Sequence, residues 1–135
     1  MNWVRILEAA ILASVVASFT DWYFFGILFH DRYNKNGPGF WRQYTDKKDE
    51  VRSIFIATLA QSVTCFIFIP LCGYFGVTTL LRASILAGIA WLMLPVPILF
   101  SYAIFARIDR MLILSHSLGW LARLVICAGC VALLL

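Results

Sequence analysis

The chain contains a nearly uninterrupted apolar run at residues 111–135, which reads MLILSHSLGWLARLVICAGCVALLL. A helix needs about 20 mostly apolar residues to cross the hydrocarbon core of a bilayer, and this run is long enough. Three further runs of similar length and composition lie at residues 3–29, 51–79 and 82–106. The sequence therefore predicts four transmembrane helices.

The overall composition supports the same interpretation. Of the 135 residues, 62% are hydrophobic and 13% are charged, whereas soluble domains have about 45–50% apolar and about 25% charged residues. This excludes a disordered chain and an ordinary soluble enzyme, and four cysteines inside apolar runs argue against a secreted disulfide scaffold. We predict an all-α integral membrane protein, with residues 1–135 forming one transmembrane domain. Short connections predict antiparallel neighbours in an up-down four-helix bundle.

The positive charges are unevenly distributed between the two ends of the predicted helices. Residues 32–52 and 107–110 together carry eight Lys and Arg residues at one end, against two, Arg5 and Arg82, at the other. Cytoplasmic loops are enriched in Lys and Arg, so we predict that the 21-residue loop at 30–50 is cytoplasmic and that both termini face outward. The same clustering argues against nucleic-acid binding and indicates contact with anionic lipid headgroups.

Four ionisable side chains inside the predicted helices matter here, namely Glu8 and Asp21 in the first and His116 and Arg123 in the fourth. Since an unpaired buried arginine is costly in a membrane, Arg123 needs a carboxylate partner. Asp21 has a suitable depth if the two helices are neighbours, whereas Glu8 can pair locally with Arg5. We predict a polar seam of Asp21, His116 and Arg123. It is interpreted either as a structural ion pair or as a proton relay or substrate site.

The loop at residues 30–50 contains an aromatic patch. Phe40, Trp41 and Tyr44 follow the turn-forming sequence Gly-Pro-Gly at helical spacing. This pattern is typical of an anchor in the lipid headgroup plane. A lid over a site between the helix ends, or a docking surface for a partner, is the alternative.

Prolines interrupt two of the predicted helices, with Pro70 in the second and Pro95 and Pro97 in the third. Each proline removes a hydrogen bond of the helix, and in lipid the freed carbonyl needs another partner. Hydroxyl and amide side chains such as those of Gln61 and Thr64 are available nearby. Two interpretations are open: kinks that line a cavity, and kinks packed against neighbouring helices.

Signals for a metal or a redox centre are weak. Cys127 and Cys130 lie in the last turns of a helix, where the dipole disfavours a reactive thiolate, so we interpret them as packing residues and leave a redox role open. The two histidines, His30 and His116, have no tight metal-ligand spacing. We predict no metal site and no cofactor.

Residues 21–33 read DWYFFGILFHDRY, and Trp41 and Arg42 follow. This stretch resembles the first-helix signature of the domain of unknown function 1761 family, small bacterial inner-membrane proteins with four predicted helices. The Trp-Tyr pair matches, whereas Gly26 comes earlier than the family's glycine and no proline follows the pair. The resemblance implies a multi-pass protein of the bacterial inner membrane. It also marks candidate interface and loop residues: Trp22, Gly26, His30, Asp31, Trp41 and Arg42.

Three functions are consistent with this sequence. The first is a non-enzymatic accessory subunit or binding module for a lipid, a quinone or another apolar ligand, alone, as a homo-oligomer or within a larger membrane complex. The second is a small proton-coupled transporter that uses Glu8 and Asp21. The third is a membrane enzyme with a site at the cytoplasmic interface formed by His30, Asp31 and His116.

Overall fold

The computed structural model describes residues 2–31, 44–106 and 108–135, and over these ranges the chain is helical and contains no strand. The prediction of an all-α chain with four helices of membrane-spanning length and polarity is confirmed. Trp41 and Arg42 lie outside the described residues. The helices are α1 (Trp3–Tyr23), which continues as a π-helical turn (Phe24–Leu28), α2 (Lys47–Tyr74), α3 (Leu80–Met93), α4 (Pro95–Phe105) and α5 (Arg110–Leu134).

Polar residues determine where three of the helices begin. The side chains of Asn2, Asp46 and Asp109 accept hydrogen bonds from backbone N–H groups in the first turns of α1, α2 and α5, which otherwise have no partner. The cap at Asp46 explains why α2 begins at Lys47, inside the predicted loop. The first turn of α2 also carries two acidic residues that favour the positive end of the helix dipole.

The single Pro70 and the pair Pro95 and Pro97 have different effects on the backbone. Pro70 lies within the continuous helix α2, because a single proline removes only one backbone donor. Pro95 instead begins a new helix, and the preceding Leu94 leaves regular helix geometry with φ −110° and ψ −74°. Pro97 follows within the same turn, so two donors are missing close together. The third membrane-spanning segment is therefore broken into α3 and α4.

Helix α5 is the central element of the bundle. It packs against α1, α2, α3 and α4, whereas among the described residues α2 makes no extensive contact with α3 or α4. The helices meet through small side chains spaced four residues apart, which allow close approach of their backbones. These buried residues include Ala9 and Ala13 of α1, Ala83 and Ala87 of α3, and Cys127 and Val131 of α5.

The cluster of buried apolar residues that contains Ala9, Ala87 and Cys127, hereafter the tight core, occupies one half of the bundle. The start of α1 and the ends of α2 and α5 meet there, since Asn2, Gly73 and Leu135 line one small cavity. Towards the other end, no residue of α2 before Cys65 is buried, and large apolar side chains such as Phe55 are exposed. Apolar surface of this extent is compatible with lipid and not with water, so the helices are those of a multi-pass membrane protein.

We expect Trp91→Phe to lower the stability of the bundle. The Trp91 indole N–H donates a 2.9 Å hydrogen bond to the carbonyl of Ser117, joining α3 to α5. A hydrogen bond between membrane helices contributes about 0.6 kcal/mol on average and up to about 1.7 kcal/mol. Thermal unfolding of the purified protein in detergent measures the loss. Trp3→Phe is the matched control because Trp3 is 64% exposed; equal effects of both substitutions would contradict the assignment.

Candidate functional site

A partly buried polar cluster joins three helices near the middle of the bundle. Arg123 of α5 is 3% exposed, and its Nη2 atom donates hydrogen bonds to Oδ2 of Asp21 on α1 and to Oε1 of Gln61 on α2. Asp21 and Arg123 form an ion pair. Asp21, Gln61 and Arg123 are hereafter called the polar cluster.

Aromatic and glycine residues on α5 shape the surroundings of the polar cluster. The guanidinium carbon of Arg123 lies 5.2 Å from the ring centroid of Trp120, one turn earlier, which is a cation–π contact. Gly119 leaves room for the end of α1, because a Cβ atom there would lie 3.5 Å from Cζ of Phe25 and 3.7 Å from Oδ1 of Asp21. A Cβ atom therefore just fits, whereas a side chain larger than alanine would push α1 away from α5.

The polar cluster offsets the cost of placing the Arg123 charge inside the membrane. An arginine at the centre of a membrane helix costs about 2.5–3.5 kcal/mol on insertion scales. Here the charge is neutralised by Asp21, and the Gln61 amide accepts a second hydrogen bond. Within the described ranges no buried side-chain nitrogen or oxygen lacks a hydrogen-bond partner. The polar cluster therefore carries no net charge, and its side chains hold the helices together through hydrogen bonds.

The structure brings some of the predicted site residues together and separates others. Asp21 and Arg123 are in contact, and the His116 ring packs against Phe25, with centroids 4.8 Å apart. Glu8 is exposed and lies about 20 Å from Asp21 along α1 at 1.5 Å per residue. The two carboxylates of the transporter hypothesis are therefore far apart.

The candidates from the end of α1 lie at the surface of the described region. Trp22, His30 and Asp31 are exposed, and a Cβ atom on Gly26 would lie 3.4 Å from the Trp22 indole. The residues described here contain no group of three or more His, Cys, Asp or Glu side chains that could hold a metal ion. A site formed by His30, Asp31 and His116 stays a prediction.

Sequence reasoning missed the role of Gln61. The sequence suggests Gln61 as a hydrogen-bond partner for a carbonyl freed by a proline, whereas the structure shows that it accepts a hydrogen bond from Arg123. The available signal was its position, since it is an uncharged polar residue within an otherwise apolar run. Such residues face other helices in membrane proteins, but the partner helix could not be chosen from the sequence.

A cavity of about 500 Å³ lies between α2 and the broken segment α3–α4, with α5 at its back. Ile67 and Ile98 on its rim are more than half exposed, so the cavity is open towards the surrounding lipid. We call it the lateral cavity. Its lining includes Thr64 and Phe68 of α2, Pro95 and Tyr102 of α4, and Trp120 and Leu124 of α5.

The helix break contributes directly to the lateral cavity, because Leu94 and Pro95 both line it. Pro95 therefore agrees with the interpretation that the prolines form kinks that line a cavity. Trp120 belongs to two environments, since its ring contacts Arg123 and also lines the lateral cavity. The polar cluster therefore fixes one wall of the lateral cavity.

The four cysteines are buried and have free thiols. Cys65, Cys72, Cys127 and Cys130 all belong to the tight core. In this position they pack as small apolar side chains. A redox role of Cys127 and Cys130 stays a prediction.

We expect Asp21→Asn to destabilise the bundle by about 3–5 kcal/mol, since it leaves the buried Arg123 charge without a counter-ion. Adding Arg123→Gln should restore part of this loss, with a coupling energy of about 0.5–3 kcal/mol. The measurement is unfolding in mixed detergent micelles. Glu8→Gln, which removes an exposed carboxylate from the same helix, should change stability by less than about 0.5 kcal/mol. Strictly additive effects of the two cluster substitutions would exclude an energetic pair.

Comparison with known proteins places the chain in a family. No curated protein and no solved structure gives a significant match. A family model described as "Protein of unknown function (DUF1761)" matches residues 9–132, which is nearly the whole chain. The match includes the polar cluster and all residues that line the lateral cavity. The chain therefore belongs to the DUF1761 family.

Proposed function

We propose that this protein is a non-enzymatic binding module of the bacterial inner membrane that holds a lipid-like apolar ligand in the lateral cavity. The observation that carries the proposal is the cavity itself, about 500 Å³ at the break between α3 and α4. Ligand sites are commonly concave, mostly apolar and about 300–1,000 Å³ in volume. The lateral cavity matches this description.

Binding in this position depends on shape more than on hydrophobicity. A ligand that enters from the bilayer leaves one apolar environment for another, so burial alone provides little free energy. Selectivity must come from close packing against fixed walls and from a few polar contacts. The walls meet this requirement, because Pro95 restricts the backbone of α4 and Arg123 holds the Trp120 ring.

The polar cluster favours a structural role over a transport role. A transporter of protons through Asp21 requires that this carboxylate exchange its proton during the cycle. Asp21 instead forms an ion pair with Arg123, which is also bonded to Gln61. We assign the polar cluster to positioning α1, α2 and α5 and Trp120.

We further propose the orientation that the charges indicate. The loop between α1 and α2 faces the cytoplasm, together with the connection that precedes α5. The start of α1 and the end of α5 face outward. The support is the excess of Lys and Arg at one end of the helices.

Ligand binding can be tested with a substitution that fills the lateral cavity. Ala90 lines it, so Ala90→Phe should reduce the amount of co-purified lipid or other apolar ligand at least ten-fold by native mass spectrometry. Ile98→Trp is a second blocking variant on the exposed rim. Ala57→Phe is the matched control, because Ala57 is exposed on α2 and does not line the cavity. Unchanged ligand content in folded blocking variants would refute the proposal.

The orientation can be tested by cysteine labelling with a membrane-impermeant maleimide. The native cysteines are all buried, so background labelling of the folded protein should be low. Lys47→Cys at the start of α2 should react only in inverted membrane vesicles. Thr78→Cys, between α2 and α3, should react only from the outer side of intact spheroplasts. The opposite pattern would reverse the proposed orientation.

A further inference from the structure

We infer that the ligand of the lateral cavity has an uncharged ring headgroup with hydrogen-bond-accepting carbonyls and a long apolar tail, the chemistry of a prenylated quinone. The inference rests on the proposed function and adds the chemical class of the ligand. Its basis is a lining without charged side chains among the described residues, two lining residues that carry hydroxyl groups, and the aromatic walls of the cavity. No redox step is included, since the inference concerns binding alone.

The first argument is the electrostatics of the lining. Among the residues that the structure describes, no charged side chain lines the lateral cavity. Arg123 contacts the lining residue Trp120 but is not itself part of the lining, and its charge is neutralised by Asp21. A phosphate or carboxylate headgroup in the cavity would lose its water without gaining a counter-ion, at a cost of several kcal/mol. The cavity therefore selects a neutral headgroup.

The second argument concerns two lining residues that carry a hydroxyl group, Thr64 on α2 and Tyr102 on α4. Other hydroxyls of these helices donate to their own backbone, as Thr58 does to Ile54 and Ser101 to Pro97, both at 2.9 Å. Within the described residues, no protein group accepts a hydrogen bond from Thr64 or Tyr102. These two hydroxyls are available to a ligand.

The position of these hydroxyls fits a ligand with two acceptors. Thr64 and Tyr102 belong to α2 and α4, which form the two sides of the lateral cavity. A para-quinone has carbonyl oxygens at opposite edges of one ring, so it can accept one hydrogen bond from each side. The rings of Phe68 and Trp120 supply flat apolar walls for such a ring. The prenyl tail leaves through the open side into the bilayer.

The experiment measures binding of decylubiquinone to the purified protein in nanodiscs, by equilibrium partition against empty nanodiscs. Thr64→Val and Tyr102→Phe each remove one hydrogen-bond donor, and we expect each to raise Kd about 2- to 10-fold. Thr58→Val and Tyr74→Phe are the matched controls, because both remove a hydroxyl from a residue outside the cavity lining. Both controls should keep the wild-type Kd.

The outcomes separate the inference from the proposed function. Specific binding of decylubiquinone that both cavity variants weaken supports the inference. If the protein retains phosphatidylglycerol, Ala90→Phe removes it and decylubiquinone does not displace it, the binding function stands and the quinone class is wrong. If decylubiquinone binds but both cavity variants behave like the controls, the assigned donors are wrong and the inference fails. If Ala90→Phe changes the binding of neither lipid, the lateral cavity is not a ligand site and both proposals fail.

Discussion

A charged guanidinium in the middle of a membrane helix places a constraint on everything around it. Arg123 cannot be hydrated where it lies, so its charge and its N–H groups need partners from other helices. Asp21 and Gln61 supply them from α1 and α2, and Trp120 covers the guanidinium from α5 itself. Hydrogen bonds and charge thereby fix the relative positions of three helices, which apolar contacts alone would leave less defined.

This constraint matters because the hydrophobic effect does little to hold helices together inside lipid. The tight core of the protein depends instead on small side chains that allow close backbone approach, such as Ala13 of α1 and Ala87 of α3. It occupies only one half of the bundle. The polar cluster lies where the tight core gives way to the more open half, in which the first turns of α2 are exposed.

The sequence was sufficient for some parts of this architecture and insufficient for others. Hydropathy predicted four long helices, and the cost of burying Arg123 together with simple depth arithmetic pointed to Asp21 as its partner. Gln61 could not be assigned, because every face of a membrane helix is apolar and hydrophobic periodicity does not reveal which helices are neighbours. The lateral cavity was one of two interpretations of Pro95 and Pro97. The choice depends on how α2 and α4 are arranged around α5, and the sequence contains no signal for that arrangement.

The central position of α5 has a consequence for biosynthesis. Helices enter the membrane in the order in which the ribosome makes them, and N-terminal parts of a chain fold first. Helix α5 follows the other four in the sequence, so α3 and α4 enter the bilayer before the helix against which they pack. Asp21 and Gln61 are therefore inserted into the membrane before Arg123, with which they form hydrogen bonds. Insertion of α5 therefore completes the polar cluster and the fold in one late step. A chain whose synthesis stops before α5 leaves the Asp21 carboxylate in the membrane without its counter-ion.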